Sequence, residues 1–322
     1  MALIIGVPTE IKTGERRIAL VPHDCARLIA LGHTIHIQSG AGLGAGFTDD
    51  EYVAAGCSIQ PDAASLYGAA QKIIKVKEPL DGDLALLTPR HSLFCYLHLA
   101  GNPGLEDKLN AIGCGYEAFE TVIDQNGGTP LLAPMSAVAG RLSVQLGTHY
   151  LHTHQGGRGV LLGGTSFAGG AGVVTVIGAG IAGTEAALLA AGMGAQVNVL
   201  DLSFNKLTKF KGNSNVSCYE STPAQLEELL PQTDLLIGAV YVVGQKAPTV
   251  VNAEQMKLLP KGAVTVDIAI DQGGCFETSR PTTHMEPTFE LDGIIHCGIT
   301  NLPAAAPRTA SEMLSKVISQ NI

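Results

Sequence analysis

Apolar positions in the first 120 residues fall into short β-branched runs separated by amphipathic stretches. The runs predict strands at Leu3–Val7, Thr34–Gln38, Lys72–Lys77, Ser92–Leu99 and Gly115–Phe119. Between them, helices are predicted at Pro22–Gly32, Asp49–Gly56, Ala63–Ala69 and Leu105–Gly113. Such alternation implies βαβ units and a mostly parallel sheet. Asn126-Gly127 then suggests a hairpin, with Pro130 and Pro134 as punctuation. Ser136 reads as the N-cap of a long helix that runs to about His154 and stops at Gly156-Gly157. That helix is expected to join two domains. Beyond it the alternation resumes, with strands at 173–177, 196–200, Leu235–Val240 and Ala263–Ile270 and a helix at 183–193.

A length of 322 residues suits two domains of ordinary size. Gly 39 fits many tight βα turns, and a formal charge of -9 without a basic stretch argues against nucleic acid. Seven cysteines, an odd set with no C-x-x-C pair, fit reduced thiols better than a disulfide framework. The opening "MALIIGVPTEIK" has too short an apolar run, and no basic start, for a signal peptide. Positions 159–184 carry no charge, which is long enough for a bilayer helix, but paired glycines make a lipid-facing helix untenable there. The expectation is a cytoplasmic protein that engages neither membrane nor nucleic acid.

Two glycine runs compete as a phosphate cradle. A dinucleotide site needs a strand, a tight three-glycine turn, an open helix N-terminus and an acid about 20 residues on. In "SGAGLGAGFTDDEY", Thr48 and Glu51 form a capping box, and Asp49 and Asp50 neutralise the helix dipole and repel phosphate. Those glycines are better read as letting the turn pass close to a neighbouring element. In "VTVIGAGIAGTEAALLAAGMG", Gly178, Gly180 and Gly183 follow a strand, open an Ala/Leu-rich helix, and precede Asp201 at the end of the next strand. This run reads as the dinucleotide site. A carboxylate at Asp201 facing a 2′-phosphate at about 4 Å would cost about 4 kcal/mol at an effective dielectric near 20. NAD is therefore favoured over NADP.

Ligands of open α/β sheets bind at the carboxyl ends of strands. Lys75 and Lys77, His98 and Asp271 sit at predicted strand ends, and Arg16 and Arg17 lie early in the chain. Each has an ordinary reading as well: a core histidine, a solvated lysine, a capping aspartate. Their shared placement is what favours chemistry. His149, His152 and His154 invite a metal reading, but their offsets place them on different faces of a helix with no acid beside them, so no metal site is expected.

The stretches "GVPTEIKTGERRIALVP", "KVKEPL", "YLHLA", "LLAPMSAVAGRLSVQLG", "GGRGVLLGG", "VIGAGIAG" and "VDIAIDQGGCFETSRPTTH" closely resemble the NAD-dependent alanine dehydrogenases, which share a fold with the nucleotide-binding part of the transhydrogenase α subunit. The resemblance runs from Ile4 to about Thr309. It implies an α/β protein of two doubly wound domains, a Rossmann NAD-binding domain inserted after an N-terminal α/β substrate domain. The expected boundaries are 1–130 for the substrate domain, with 305–322 returning toward it, and 131–304 for the NAD domain. Carried over by position, substrate-carboxylate ligands fall on Arg17 and Lys77, and the general acid/base on His98. The active-site carboxylate falls on Asp271, and cofactor contacts on Ser136, Gly178, Gly180, Gly183, Asp201 and Asn301. The implied reaction is reversible oxidative deamination of L-alanine to pyruvate and ammonia, in a homo-oligomer, commonly a hexamer. Glycine/glyoxylate as substrate pair, or a non-catalytic transhydrogenase-like NAD-binding module, are the alternatives. Members of that family usually continue for several dozen residues after the helix starting near Thr309, in a tail that packs on the substrate domain. They most often have methionine where this chain has Leu302, a nearly volume-conserving change.

Overall fold

The computed structural model describes residues 2–167, 170–242 and 246–322. They divide into two units, one formed by Met1–Met135 with Pro303–Ile322 and the other by Ser136–Leu302. In the first, β1 (Ile4–Val7), β2 (Thr34–Gln38), β3 (Ser58–Gln60), β4 (Lys72–Ile74), β5 (Ser92–Cys95) and β6 (Gly115–Ala118) pair in the order β3-β2-β1-β4-β5-β6, all parallel. Strand order reverses between β1 and β4, which opens a crevice at their carboxyl ends. Ile5, Ile73 and Leu93 are fully buried in this sheet.

The helix Pro307–Ile318 belongs to this unit although it lies far away in sequence. Ala310, Leu314 and Ile318, spaced by four, form its fully buried stripe. Beside them Ser311 and Ser315 accept the backbone N–H groups of Ile18 and Val21 at 3.0 and 2.9 Å. Those amides, next to Arg17, therefore find their partners on side chains rather than on a strand.

The second unit holds β7 (Val173–Ile177), β8 (Gln196–Asp201), β9 (Val216–Glu220), β10 (Leu235–Gly238), β11 (Val264–Asp267), β12 (Thr288–Leu291) and β13 (Ile294–Cys297). Their order is β12-β13-β11-β10-β7-β8-β9, parallel except for β12 against β13. Order reverses between β7 and β10, so this unit too is doubly wound.

Three predicted strands prove about three residues too long, for one shared reason. A carboxylate captures backbone amides that the ladder would otherwise use. After β4, Glu10 accepts Val76 N at 2.6 Å and Lys77 N at 3.3 Å. After β5, Glu120 accepts Leu97 N at 3.3 Å and His98 N at 2.6 Å. After β11, Asp267 accepts Ala269 N at 3.0 Å and starts a 3-10 turn, Ile268–Gln272. Asp271 consequently lies on that turn and not at a strand end.

Ser136 is not an N-cap. The helix runs Ala133–Tyr150, starting earlier because Pro134 is pre-set for a first turn. It also stops before His154, and Thr153–Gln155 form a separate 3-10 turn ended by Gly156 at φ 90°. The offset argument for His149, His152 and His154 therefore fails: their ring centroids lie 5.6–6.2 Å apart. Even so, among the described residues no group of three His, Cys, Asp or Glu side chains is disposed to hold a metal ion. Asn126-Gly127 is not a hairpin either. Asp124 closes that turn on itself by accepting Asn126 N and Gly128 N at 2.8 and 2.9 Å. The hairpin is β12–β13, through Asp292 (φ 54°) and Gly293 (φ 76°), the backbone of a type I′ turn.

His296 on β13 is 2 % exposed, stacks on Phe289 at 5.0 Å and shares a hydrogen bond with Thr265 Oγ1 at 3.1 Å. Burial, and secondarily Arg280, push its pKa down to about 4. The unfolded chain takes up a proton near pH 6.5. This contribution is therefore intact above about pH 6.5 and lost as pH falls toward 4, a change of roughly 3 kcal/mol. Urea titrations at pH 7 and pH 4.5 are expected to show that loss, and His296→Gln to remove it from the difference.

Candidate active site

In the first unit Arg17, Lys77 and His98 lie on the segments that follow β1, β4 and β5. Arg17 is 3 % exposed and pairs through both Nε and Nη2 with the Glu15 carboxylate, at 2.7 Å for Nε. Its Nη1 faces the Met135 sulfur at 3.1 Å, a weak acceptor. Burial alone would lower the guanidinium pKa, but Glu15 outweighs it and the net shift is upward. The guanidinium thus stays charged in a dry setting, where it pairs strongly with carboxylates. Gly44 explains the decoy glycine run: a Cβ there would lie 2.8 Å from the Arg16 carbonyl, so this turn passes directly under the arginine segment. The capping box of Thr48 and Glu51 is present as well.

Lys77 follows β4, held by Glu10 as described. Lys75, two residues earlier, is fully buried 3.3 Å from both Glu10 and Asp83. Burial lowers its pKa, but the two acids more than reverse this. Lys75 is accordingly a structural cation, held between two acids.

His98 follows β5 in a left-handed conformation (φ 46°, ψ 46°), which is costly for a residue with a Cβ. Its imidazole stacks on Tyr96 at 5.6 Å and 10°. The Tyr96 hydroxyl donates to the Leu131 carbonyl, which fixes that ring in turn.

In the second unit β7 runs into the three-glycine turn. Gly178 has φ 101°, and a Cβ on it would lie 2.5 Å from the Ala239 carbonyl. A Cβ on Gly183 would lie 1.7 Å from the Gly178 carbonyl, whereas Gly180 faces open space. The helix Ile181–Gly192 has no side-chain N-cap bond and no acid in its first turn. Its amides and dipole are suited to an anion, and the cradle fits a dinucleotide pyrophosphate. Asp201, at the end of β8, accepts Ala179 N at 2.7 Å and Ser203 N at 2.8 Å, so this carboxylate braces the turn. Lys209 donates to the Ala179 carbonyl at 2.9 Å and to Thr184 Oγ1 at 3.0 Å, a brace that the sequence reading did not include.

Ser136 lies one helical turn before Gly140, whose Cβ would meet the Ala182 carbonyl at 2.1 Å. Positions four apart share a helix face, so Ser136 faces the side on which the glycine turn packs. Asp271 and Asn301 come together: both Asp271 oxygens accept Asn301 N at 3.2 Å, and Asn301 has φ 57°.

A family model described as the alanine dehydrogenase/PNT N-terminal domain matches residues 6–139, and the corresponding C-terminal domain matches 143–322. The chain belongs to this family. Alanine dehydrogenase of Halomonas elongata is 45 % identical over 313 residues, covering 97 % of this chain and 84 % of that protein. Alanine dehydrogenase of Mycolicibacterium smegmatis is 47 % identical over 316 residues, covering 97 % and 85 %. A solved L-alanine dehydrogenase superposes with TM-score 0.94 at 43 % identity, covering 99 % of this chain and 88 % of that one. A transhydrogenase from Sinorhizobium meliloti matches with TM-score 0.89 at 23 % identity, which speaks to the fold alone.

Membership in the alanine dehydrogenase/PNT family agrees with the two doubly wound units expected from the sequence. Glu10, Glu15, Glu120 and Lys209 are what the sequence reading missed. The signal for Glu15 was its spacing, two residues before Arg17 in "GERR". Glu120 had none, because its partners lie more than 20 residues away.

Proposed function

We propose that this protein is an L-alanine dehydrogenase that reversibly converts L-alanine, water and NAD⁺ to pyruvate, ammonium, NADH and a proton. The observation that carries this reading is identity of 45–47 % to alanine dehydrogenases across 97 % of the chain. The first unit binds substrate and the second binds the dinucleotide. NAD, when bound, supplies the hydride acceptor; Ser136, Gly178, Gly180, Gly183, Asp201 and Asn301 are the residues that hold it.

Arg17 takes the substrate carboxylate, with Glu15 fixing the plane of the fork. Lys77 contributes a second positive charge and polarises the keto oxygen in the reverse direction. Held this way, the substrate loses the rotational freedom that otherwise slows reaction. His98 removes the proton from the water that adds to the imine and returns it in the reverse direction, a task matched to an imidazole near neutral pH. Asp271 orients the amino group and offsets its positive charge. We assign the protein to the cytoplasm, as a homo-oligomer. All seven cysteines are free, which fits a reducing compartment; among the described residues no helix is long and apolar enough to cross a membrane.

An NADH absorbance assay tests the reading, with alanine or glycine plus NAD, and pyruvate or glyoxylate plus NADH and ammonium. Alanine and pyruvate are expected to turn over. One methylene is worth about 1–3 kcal/mol in a pocket, so faster glycine turnover would move the substrate and keep the chemistry. No turnover of any pair would overturn the reading. Asp201→Ala is expected to raise the cofactor KM about 10-fold or more, since hydrogen bonds to a charged group are worth about 1.5–3 kcal/mol. The alanine KM should stay nearly constant, and the opposite pattern would refute the ribose role.

A further inference from the structure

We propose that Glu120 is a positioning residue for His98, setting the backbone conformation from which the imidazole meets the substrate. The inference rests on the alanine dehydrogenase reading of His98 and goes beyond it. Glu120 occupies the 3-10 turn Phe119–Thr121 after β6, next to β5 in the sheet. One oxygen accepts His98 N at 2.6 Å, and both accept Leu97 N at 3.3 Å. From the opposite side Asn102 Nδ2 donates to the carbonyls of Leu97 and His98 at 3.0 and 3.2 Å. The peptide entering His98 is therefore gripped at its N–H by a carboxylate and at its C=O by an amide, and the peptide leaving it is held at its C=O by the same amide and by Gly101 N at 2.8 Å.

A left-handed residue other than glycine persists only where its surroundings over-determine it. β5 ends at Cys95, and beyond it Glu120 supplies the acceptor for the N–H groups of Leu97 and His98. The stack on Tyr96 fixes the ring plane, and Glu120 fixes the main chain that carries the ring. Without the carboxylate the two amides would seek water, the His98 backbone would relax toward the extended region, and the imidazole would swing away from its working position.

The test uses the full-length protein with Glu120→Ala, Glu120→Gln, His98→Ala and the double variant His98→Ala/Glu120→Ala. Glu120→Ala is expected to lower kcat about 10²-fold, the scale of a misplaced catalytic group. KM for pyruvate and the Kd for NADH, read by fluorescence, should each stay within about threefold. Glu120→Gln keeps a carbonyl acceptor for His98 N, so it should lose only about 10-fold and retain the wild-type pH–rate profile. In the His98→Ala background, loss of Glu120 should change kcat less than twofold, since a residue acting through the imidazole has nothing left to act on.

A readout independent of turnover is the His98 imidazole signal in the NMR spectrum of the cofactor-free protein. It should be a single resonance in the wild type and broadened or split in Glu120→Ala. If Glu120→Ala does not fold, Glu120→Gln and its double variant carry the same comparison. Wild-type kcat in Glu120→Ala, full multiplication of the two losses, or a pH limb lost in Glu120→Gln would each overturn the positioning role and leave the function standing. Full activity in His98→Ala would instead sink the role of His98 itself.

Discussion

Replacing His98 by alanine is expected to lower alanine and pyruvate turnover by roughly 10²–10⁴-fold, the range lost with a general acid/base, while NADH still binds with nearly wild-type affinity. The separation follows from placement, since His98 lies in the first unit and the glycine turn in the second. Backbone conformation complicates alanine as a probe, because position 98 sits at φ 46°. Asparagine visits the left-handed region more readily than most residues, so His98→Asn isolates loss of the imidazole from relaxation of the turn. Both variants should lose turnover to a similar extent. Steady-state absorbance gives kcat and fluorescence titration gives NADH affinity. Full activity in His98→Asn would remove the imidazole from the mechanism.

Gly183→Ala should abolish useful cofactor binding. The added methyl would lie 1.7 Å from the Gly178 carbonyl, which is itself pinned close to the Ala239 backbone. Neither neighbour is a flexible side-chain tip, so helix and turn must separate. Overpacking of this kind costs about 1–3 kcal/mol or more, and the displaced amides no longer converge on one anion. At least a 10-fold rise in the NADH dissociation constant is expected, with a lower thermal midpoint. Gly180→Ala is the control, since its Cβ meets nothing within 4 Å in the protein. It should leave the thermal midpoint nearly unchanged and weaken only cofactor binding. Equal NADH affinity in Gly183→Ala and wild type would show that the turn is not the cradle.

The alternation of apolar runs announced the central strands of both mostly parallel sheets, because burial on two faces leaves nearly continuous β-branched strands, but not β3, β9, β12 or β13. Local rules worked where the partner was local, as in the capping box of Thr48 and Glu51. They failed where a distant carboxylate intervened. Nothing near Lys77 or His98 in sequence announces that Glu10, 67 residues away, or Glu120, 22 residues away, will end the strands there. Hairpin chemistry was present but read at the wrong place. Asn126-Gly127 lacks flanking strands, and Asp292-Gly293 joins the paired strands β12 and β13. For the histidine trio, the assumption of an unbroken helix past Tyr150 hid their clustering.

The helix at Pro307–Ile318 has a consequence for biosynthesis. Its serines complete the hydrogen bonding of Ile18 and Val21, and its apolar stripe closes the first unit's core. While the ribosome is still translating the middle of the chain, the stretch bearing Arg17 lacks that lid. The Ser136–Leu302 unit, contiguous in sequence, has every segment it requires earlier. Because domains fold as units during synthesis, the Ser136–Leu302 unit is free to fold first, and the Met1–Met135 segment completes its core only after residue 318 has cleared the exit tunnel.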